Sequence, residues 1–460
     1  MKCKVNIIKI VTILLTSMIH LTGYNQTTIK GYNENPLRVV LGWKEDPATT
    51  QSVNWQTNTD SAAWVEYTVD DGSPYIAKKA TRIQGSTEKY YTGTGYLFSH
   101  EVTIRNLKPG TVYAYRVGNG NMCSEWFQFK TLPVDPDDFT FLYFGDVQNF
   151  TTTLARRTLI AAIKKEPDAV FLTFAGDLVG NGTKDATWQE FFGFGNWIFP
   201  TVPVMPAIGN HEYGYDNRVK NVVYAPNYQN SFCLPENGPK GFKELFYYFD
   251  IGNLRVISID NTALSYNIYP DKVPVLLSWI EQALATNKNR WCIIICHQPV
   301  FPSVPGNGNK ILQEKLLPLI EKYNVDLILE GHHHNYARGY DKNAKEIPVY
   351  VVSVCGGKMY PLNFDNWKDR TCANRQFYQV IHVNRNTLDF KSYMTNGRLF
   401  DAFEIKCDSN GKKQFRDHSP SFEGDYNIPY ETIRKFLKND SLLTLYEIQK
   451  KQFEKRTGEK

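Results

Sequence analysis

The chain has 460 residues, a formal net charge of +5 and 42% hydrophobic residues. It is too long for one ordinary hydrophobic core, so two or three domains are expected. The positive charge is mild and includes no long Lys/Arg block, which argues against a nucleic-acid or membrane-surface footprint.

Residues 1–24 are predicted to be a signal peptide. Lys2 and Lys4 precede a mostly apolar stretch, residues 7–21, which is interrupted by Lys9 and several Thr and Ser residues. Such a stretch is too short and too polar for a transmembrane helix and is typical of an export signal. A retained interfacial anchor is the alternative. No second run of membrane length follows, so we expect a secreted or periplasmic protein without a membrane span.

The cysteines do not form an obvious disulfide framework. Of the 8 cysteines, Cys3 lies in the predicted signal, so an odd set remains and at least one thiol has no partner within the chain. Cys355 and Cys372 could form a bridge, which the sequence alone does not establish. Cys292 and Cys296 are predicted to be buried thiols on one face of a strand.

Residues 35–132 are predicted to form an all-β domain. Short alternating runs, such as residues 53–55 and 64–69, are separated by turn residues, as in a β-sandwich. Residues 107–117, which include Tyr113, resemble the fibronectin type III signature. We interpret this domain as a scaffold or as a wall of a substrate cleft, in preference to an independent carbohydrate or adhesion module.

A polar linker with Pro133 and Pro136 ends this domain, because proline disfavours helix and the segment has little to bury. Residues 138–408 then alternate strand-like and helical patterns and are predicted to form an α/β domain. Residues 409–460 are more polar and are predicted to form a helical C-terminal extension.

Five apolar runs in the α/β domain each end at a polar residue that can bind a metal. Near-continuous Val, Ile, Leu and Phe content indicates buried strands, and open α/β sheets bind ligands beyond the carboxyl ends of their strands. The polar side chains are therefore expected to converge. The runs are residues 139–144 before Asp146, 169–175 before Asp177, 202–208 before Asn210, 291–296 before His297, and 325–329 before His332 and His334.

One Gly-Asp or Gly-His dipeptide after a strand is more often an ordinary turn. The ordered set is more informative, because carboxylate, amide oxygen and imidazole together suit divalent metals. If the backbone there is extended, His332 and His334 project to one side and His333 points away. The sequence therefore predicts a metal site.

These motifs resemble those of a known superfamily. Gly145-Asp146, Gly176-Asp177, Gly209-Asn210-His211-Glu212, His297 and Gly331-His332-His333-His334 are similar to the calcineurin-like metallophosphoesterase motifs. Within that superfamily the chain looks most like the purple acid phosphatase branch, including its N-terminal domain. The resemblance implies two sheets packed face to face with helices outside, and two divalent metal ions, with Zn, Mn or Fe as candidates.

The resemblance also implies roles for individual residues. Asp177 would bridge the two metals, with Asp146 and His334 on the first metal and Asn210, His297 and His332 on the second. His211 would be the catalytic residue that faces the phosphoryl group, and Asn210 would also contact substrate. Glu212 is expected to orient its neighbours, and Asp260, although it also ends an apolar run, is not expected to be a ligand.

Three departures limit the transfer. Gly180 stands where purple acid phosphatases have a metal-binding tyrosine, so no iron-phenolate colour is expected. Gln148 stands where many other members of the superfamily have histidine, and its amide oxygen is a hypothetical ligand of the first metal. Residues 298–309 contain none of the histidines that plant-type enzymes have there, so an acidic pH optimum is not assured.

The resemblance implies an exported phosphohydrolase that cleaves small phosphate monoesters by in-line attack of a metal-bound hydroxide. A phosphodiesterase of the same fold is one alternative. A metal-stabilised binding or adhesion protein without turnover is the other. The oligomeric state and the physiological substrate stay open.

Overall fold

The computed structural model describes residues 35–93, 95–216, 221–306, 308–344, 347–421, 433–435, 437 and 439–458. The predicted signal peptide, residues 1–24, lies outside these ranges. Among the described residues, no helix combines the length and the apolar character needed to cross a bilayer.

The N-terminal domain contains two antiparallel sheets with one shared core. The first sheet has the order β1-β2-β6-β5, and the second has β4-β3-β7-β8 with β9 also paired to β7. Leu41, Trp55 and Tyr115 are fully buried between them. The strands are β1 Leu37–Gly42, β2 Gln51–Thr57, β3 Ala63–Val69, β4 Thr81–Gln84, β5 Ser86–Tyr91, β6 Tyr96–Ile104, β7 Val112–Asn119, β8 Met122–Cys123 and β9 Phe127–Lys130.

The second domain contains a six-stranded sheet, a seven-stranded sheet and a two-stranded ribbon. The six-stranded sheet has the order β11-β10-β21-β22-β23-β24, and the seven-stranded sheet has β14-β15-β16-β17-β19-β18-β20. The strands are β10 Asp138–Phe144, β11 Leu172–Phe174, β12 Tyr213–Asp216, β13 Asn221–Tyr224, β14 Tyr247–Ile251, β15 Leu254–Ser258, β16 Trp291–Ile295, β17 Leu327–Glu330, β18 Tyr336–Gly339, β19 Val349–Val352, β20 Lys368–Cys372, β21 Phe377–Asn384, β22 Thr387–Met394, β23 Leu399–Cys407 and β24 Lys413–Asp417.

Helices accompany both sheets and end the described chain. They are α1 Ile76–Lys79, α2 Arg156–Lys165, α3 Asp185–Gly195, α4 Pro226–Gln229, α5 Asn261–Ser265, α6 Val273–Ala285, α7 Lys310–Lys315, α8 Leu317–Lys322 and α9 Asp440–Thr457. A π-helical turn, Thr151–Ala155, precedes α2. The apolar pattern of residues 312–320 lies on two short helices instead of one. The helical hydrogen bonding is interrupted at Leu316, two residues before Pro318, because proline has no N–H group to donate.

Parallel pairing aligns the ends of the strands that lead to the predicted site. β10 pairs in parallel with β11, while β15, β16, β17 and β19 form a parallel block. Their side chains contribute to one continuous hydrophobic core that spans both sheets. The predicted class, an all-β domain followed by an α/β domain with a C-terminal helix, is confirmed.

The predicted strand at residues 202–208 is not a regular strand. One isolated bridge joins it to β11 and another joins it to Ala175, the residue after β11, and Met205 N–H donates to Leu172 O over 2.9 Å. Pro203 and Pro206 have no N–H group, so a continuous ladder cannot form. The segment is nevertheless extended beside the sheet and delivers Asn210 to its edge.

The structure adds two details to the C-terminal part. The predicted α/β domain ends at residue 408, but β24 continues its sheet by antiparallel pairing with β23. The final helix begins after Asn439, whose side-chain oxygen accepts a hydrogen bond from Leu442 N–H at 2.8 Å. Asn439, which the sequence analysis did not single out, is therefore the N-cap.

The seven cysteines among the described residues are all free. The possible bridge between Cys355 and Cys372 is therefore absent, and both thiols are buried. Cys292 and Cys296 are buried within and directly after β16, as the sequence predicts.

Candidate metal centre

Four of the predicted side chains meet at one point beyond β11 and β16. His297 Nε2 lies 3.3 Å from Asp177 Oδ1, 2.9 Å from Asn210 Oδ1 and 3.2 Å from His332 Nδ1. Asp177 and His297 are almost completely buried. This cluster offers one carboxylate, one amide oxygen and two imidazole nitrogens to a common centre.

A second cluster shares Asp177 and lies beyond β10. His334 Nε2 is 3.2 Å from Asp146 Oδ2, and Gln148 Nε2 is 2.6 Å from Asp177 Oδ2 and 3.4 Å from His334 Nε2. All four side chains are buried. Asp177 thus presents one oxygen to each cluster, as a bridging ligand would.

The two clusters fit a pair of divalent ions. Asp177, His297 and His332 offer donor atoms within 4.8 Å of one another, and so do Asp146, Asp177 and His334. Asp146 Oδ2 and Gln148 Oε1 are buried and have no hydrogen-bond partner among the described residues. Because a buried acceptor without a partner is costly, the orphaned Asp146 oxygen favours a cation at the site. Gln148, in contrast, directs Nε2 at Asp177 and His334, so its oxygen joins that cluster only if the amide group rotates.

Backbone carbonyls orient two of the histidines. His297 Nδ1 is 2.7 Å from Ala175 O, and His334 Nδ1 is 3.0 Å from Lys358 O. Each Nδ1 therefore donates its proton to a carbonyl, and this hydrogen bond directs each Nε2 at the centre.

The backbone around the histidine triplet is not extended as predicted. His332 has a φ of 66° and His334 a φ of 45°, both in the left-handed region. Their side chains still reach the two clusters, whereas His333 Nδ1 accepts a hydrogen bond from Ser303 N–H at 3.1 Å. His333 points away from the two clusters, as expected, but the cause is the geometry of a turn and not the alternation of side chains along a strand. Strained backbone of this kind is often found at functional sites.

Two glycines permit the close approach of the ligand-bearing turns. A Cβ atom on Gly209 would lie 2.2 Å from Asp177 N, and one on Gly331 would lie 2.4 Å from Asp146 Oδ1. Neither position has room for a side chain. Close packing therefore explains why these two positions are glycine.

Burial controls protonation at the centre. Burial lowers the pKa values of His332 and His334 to about 3, so both imidazoles stay neutral and retain the lone pairs that metals need. Burial also raises the pKa of Asp146 to about 7. Burial alone would raise the pKa of Asp177 too, but the charge of the adjacent His297 and its hydrogen bond lower it. Burial alone would lower the pKa of His297, but the carboxylates of Asp177 and Asp146 raise it to about 9, so His297 is protonated in the absence of a metal.

His211 lies at the open side of the centre. Its Nδ1 is 2.7 Å from Gly180 O, and its Nε2 is 3.9 Å from Asp177 Oδ2. The side chain is 32% exposed, so a substrate can reach Nε2. Gly180 thus contributes a backbone carbonyl that orients His211.

Glu212 joins the turn that carries Asp177 to the turn that carries Asn210. Glu212 Oε2 accepts hydrogen bonds from Asp177 N–H at 2.9 Å and Gly209 N–H at 2.8 Å, and Oε1 accepts one from Val179 N–H at 3.2 Å. The side chain is fully buried. Its contacts are those of a positioning residue.

Two residues that support the centre, Asn261 and Gln298, were not predicted from the sequence. Asn261 Oδ1 accepts hydrogen bonds from His297 N–H at 3.1 Å and Gln298 N–H at 2.9 Å. Gln298 Nε2 lies 3.2 Å from Asn210 Oδ1. Asp260, just before Asn261, caps α5 by accepting from Ala263 N–H and also accepts from a tyrosine hydroxyl. The polar residues that follow β15 could have indicated this support. The residue that supports the centre is Asn261, not the preceding Asp260.

Comparisons with known proteins agree with this architecture. A model of the purple acid phosphatase N-terminal domain matches residues 36–131, and a model of calcineurin-like phosphoesterases matches residues 139–336. A purple acid phosphatase from yellow lupin seeds superposes with a TM-score of 0.65 at 19% identity, covering 82% of this chain and 75% of that one. The structure of PhoD gives a TM-score of 0.63 at 12% identity, covering 91% and 99%.

Sequence relatives have phosphatase names. A phosphoenolpyruvate phosphatase from Allium cepa is 27% identical over 304 residues, which cover 61% of this chain and 57% of that enzyme. Acid phosphatase type 7 from Homo sapiens is 27% identical over 346 residues, covering 70% and 73%. The chain thus spans less than two thirds of the onion enzyme's length. The adjoining domain matches and the shared fold show a purple acid phosphatase-like N-terminal domain at residues 36–131, followed by a calcineurin-like phosphoesterase domain at residues 139–336.

Proposed function

We propose that the protein is a dinuclear-metal phosphohydrolase that acts on phosphate monoesters. The observation that carries this proposal is the pair of ligand clusters that share Asp177. A purely structural metal site would be closed by its ligands, whereas His211 stands at an accessible edge of this centre.

The proposed ligands divide between two positions. Asp146, Gln148 and His334 would hold the first ion, Asn210, His297 and His332 the second, and Asp177 both. When bound, two such ions supply an activated water nucleophile and neutralise charge on the phosphoryl oxygens. The residues keep the site dry on its inner side, because every carboxylate and imidazole ligand except the partly exposed His332 is buried.

We assign His211 the role of donor to the substrate. With Nδ1 directed at Gly180 O, the Nε2 atom is the one that faces the phosphoryl group. A protonated His211 would donate from Nε2 to a phosphoryl oxygen or to the leaving oxygen. The amide nitrogen of Asn210 would donate to another phosphoryl oxygen, since its oxygen points at His297.

The test of the reaction class compares p-nitrophenyl phosphate with bis-p-nitrophenyl phosphate across pH, with metal content measured on the same sample. Faster hydrolysis of the monoester supports the proposal. Faster hydrolysis of the diester would reassign the protein as a phosphodiesterase of the same fold. A metal-loaded protein that turns over neither ester would favour a binding or adhesion role.

Export is also part of the proposal. It rests on the signal-like composition of residues 1–24, and it makes the protein secreted or periplasmic. Sequencing the N-terminus of the protein from extracellular and periplasmic fractions tests it. Recovery of the intact N-terminus from the cytoplasmic fraction alone would contradict export.

A further inference from the structure

A cleft with a volume of about 530 Å³ opens directly beside the metal centre. His332 and Gln298 belong to both its wall and the centre, and Gln298 Nε2 lies 3.4 Å from the hydroxyl of Tyr266 on the cleft side. A phosphate ester bound at the centre therefore has room for its leaving group on this side. Apart from His332, the residues that line the cleft belong to neither group of acidic and histidine ligands.

The cleft wall is uncharged except for one cation. Its lining residues include Tyr266, Asn309, Lys310 and Ile311, and none of the residues that line it is Asp or Glu. Tyr266 is 53% exposed, and burial of the remainder raises its pKa, so it presents a neutral ring and hydroxyl. Lys310 is exposed and forms no ion pair with any residue that the structure describes.

The backbone that carries Lys310 is held in place. Asn309 Nδ2 donates to Ser265 Oγ at 2.8 Å, next to Tyr266, while Asn309 Oδ1 accepts from Leu312 N–H at 3.3 Å. This one side chain fixes the start of α7 to the end of α5, so the aromatic ring and the lysine line the same cleft at a fixed junction of two helices.

We propose that this cleft is the leaving-group subsite, and that Tyr266 and Lys310 select phosphate monoesters whose leaving group is planar and carries a second anionic group. The inference rests on the proposed phosphatase function. The second anion would be a carboxylate or a further phosphate, which share the chemistry that a lysine recognises. The ring of Tyr266 would cover the planar part of the leaving group.

The first test compares phenyl phosphate, 4-carboxyphenyl phosphate and 1,4-phenylene bisphosphate as substrates. The variants are Lys310→Met and, as matched control, Lys315→Met, which removes an exposed lysine of the same helix that does not line the cleft. We expect Lys310→Met to reduce the preference for an anionic substrate over phenyl phosphate by about fivefold through KM, whereas Lys315→Met should keep the wild-type preference. Whichever anionic ester loses more identifies the second group.

A binding measurement separates this inference from the reaction itself. Titration calorimetry of the metal-loaded protein with benzylphosphonate and 4-carboxybenzylphosphonate should show tighter binding of the carboxylated compound, and Lys310→Met should remove the difference. An unchanged preference in Lys310→Met, or an equal loss in Lys315→Met, would overturn the subsite. Failure to hydrolyse phenyl phosphate, with the phosphonate difference intact, would overturn the proposed reaction and leave the subsite standing.

Discussion

At the residue scale, the centre is built from short polar side chains held by buried hydrogen bonds. Glu212 and Asn261 contact no proposed substrate position, yet they fix the backbone of Asp177 and His297. Such supporting contacts set the orientation of ligands and their affinity for metals. The unusual member of the set is Gln148, a neutral residue where a stronger ligand is common in the superfamily.

Gln148→Ala tests whether this amide is a ligand. The substitution removes an orphaned buried oxygen and a contact to Asp177, so we expect the affinity for one of two ions to fall about tenfold, with the other ion retained. Titration calorimetry on the metal-free protein measures both affinities. Unaltered affinities would exclude Gln148 from the ligand set.

His211→Ala tests the proposed donor. His211 belongs to neither cluster of metal-binding groups, so both ions should stay bound while kcat for p-nitrophenyl phosphate falls about 100-fold. His418→Ala is the control, because that imidazole is 53% exposed, pairs with Glu404 and belongs to neither ligand cluster. Equal activity of the two variants would remove His211 from the mechanism.

At the element scale, strand ends explain why the sequence predicts so much of the site. The pattern of apolar runs located Asp146, Asp177, His297 and the histidine triplet because buried parallel strands leave a strong compositional signal. It failed at residues 202–208, where two prolines prevent regular pairing although the apolar content is strand-like. Asn261 and Gln298 were missed because a supporting amide has no distinctive spacing. The left-handed turns at His332 and His334 depend on tertiary packing that periodicity does not report.

A buried charge network joins β18 to β23, directly after the histidine triplet. Asp401 accepts hydrogen bonds from Tyr336 Oη at 2.6 Å, Arg338 Nη2 at 2.9 Å and Ser419 Oγ at 2.6 Å. Burial by itself would raise the pKa of Asp401, but the Arg338 guanidinium lowers it. This carboxylate therefore stabilises the fold above its unfolded pKa, and the contribution disappears as pH falls through its lowered folded pKa.

Asp401→Asn should lower stability by about 3 kcal/mol near neutral pH, because it leaves the buried Arg338 without its main partner. The deficit should shrink as the pH approaches the acidic range where wild-type Asp401 is itself protonated. Urea unfolding midpoints across pH measure both effects. Asp389→Asn, which breaks a partly exposed pair with Lys391, is the control and should cost under about 1 kcal/mol. A constant deficit down to strongly acidic pH would contradict the assignment.

At the scale of the whole molecule, the N-terminal domain is part of the support for the metal centre. Leu41 N–H donates to Phe199 O at 3.0 Å, and Val204 N–H donates to Leu41 O at 2.9 Å. Trp43 packs on Phe171 and is only 3% exposed. The segment that leads to Asn210 is thus fastened to β1 on one side and to β11 on the other.

The C-terminal helix α9 supports the side of the centre that carries the histidine triplet. Phe364 packs against Tyr446 and Phe453 of α9, and Trp367 Nε1 donates to Pro302 O at 2.9 Å. Ser303, the next residue, contacts His333. The extension that the sequence analysis left without a role therefore packs behind the loop that borders the histidine triplet.

Arg38→Ala tests the contact between domains. The Arg38 side chain is 8% exposed and forms two hydrogen bonds with Asp185 of α3, at 2.8 and 2.9 Å. Its removal leaves a largely buried carboxylate, so we expect a loss of about 3 kcal/mol in the unfolding free energy. Arg105→Ala breaks an exposed pair with Glu45 in the same domain and should cost under about 1 kcal/mol. Similar unfolding midpoints for the two variants would show that the domains are not coupled through Arg38.

The most direct test of a dinuclear phosphohydrolase is metal content measured together with turnover of p-nitrophenyl phosphate, in wild type and in Asp177→Asn. Asp177 contributes to both clusters, so its loss should weaken both ion positions. We expect two ions per wild-type chain with turnover, and fewer than two ions with no turnover in the variant. Wild-type turnover with no bound metal, or full turnover by Asp177→Asn, would contradict it.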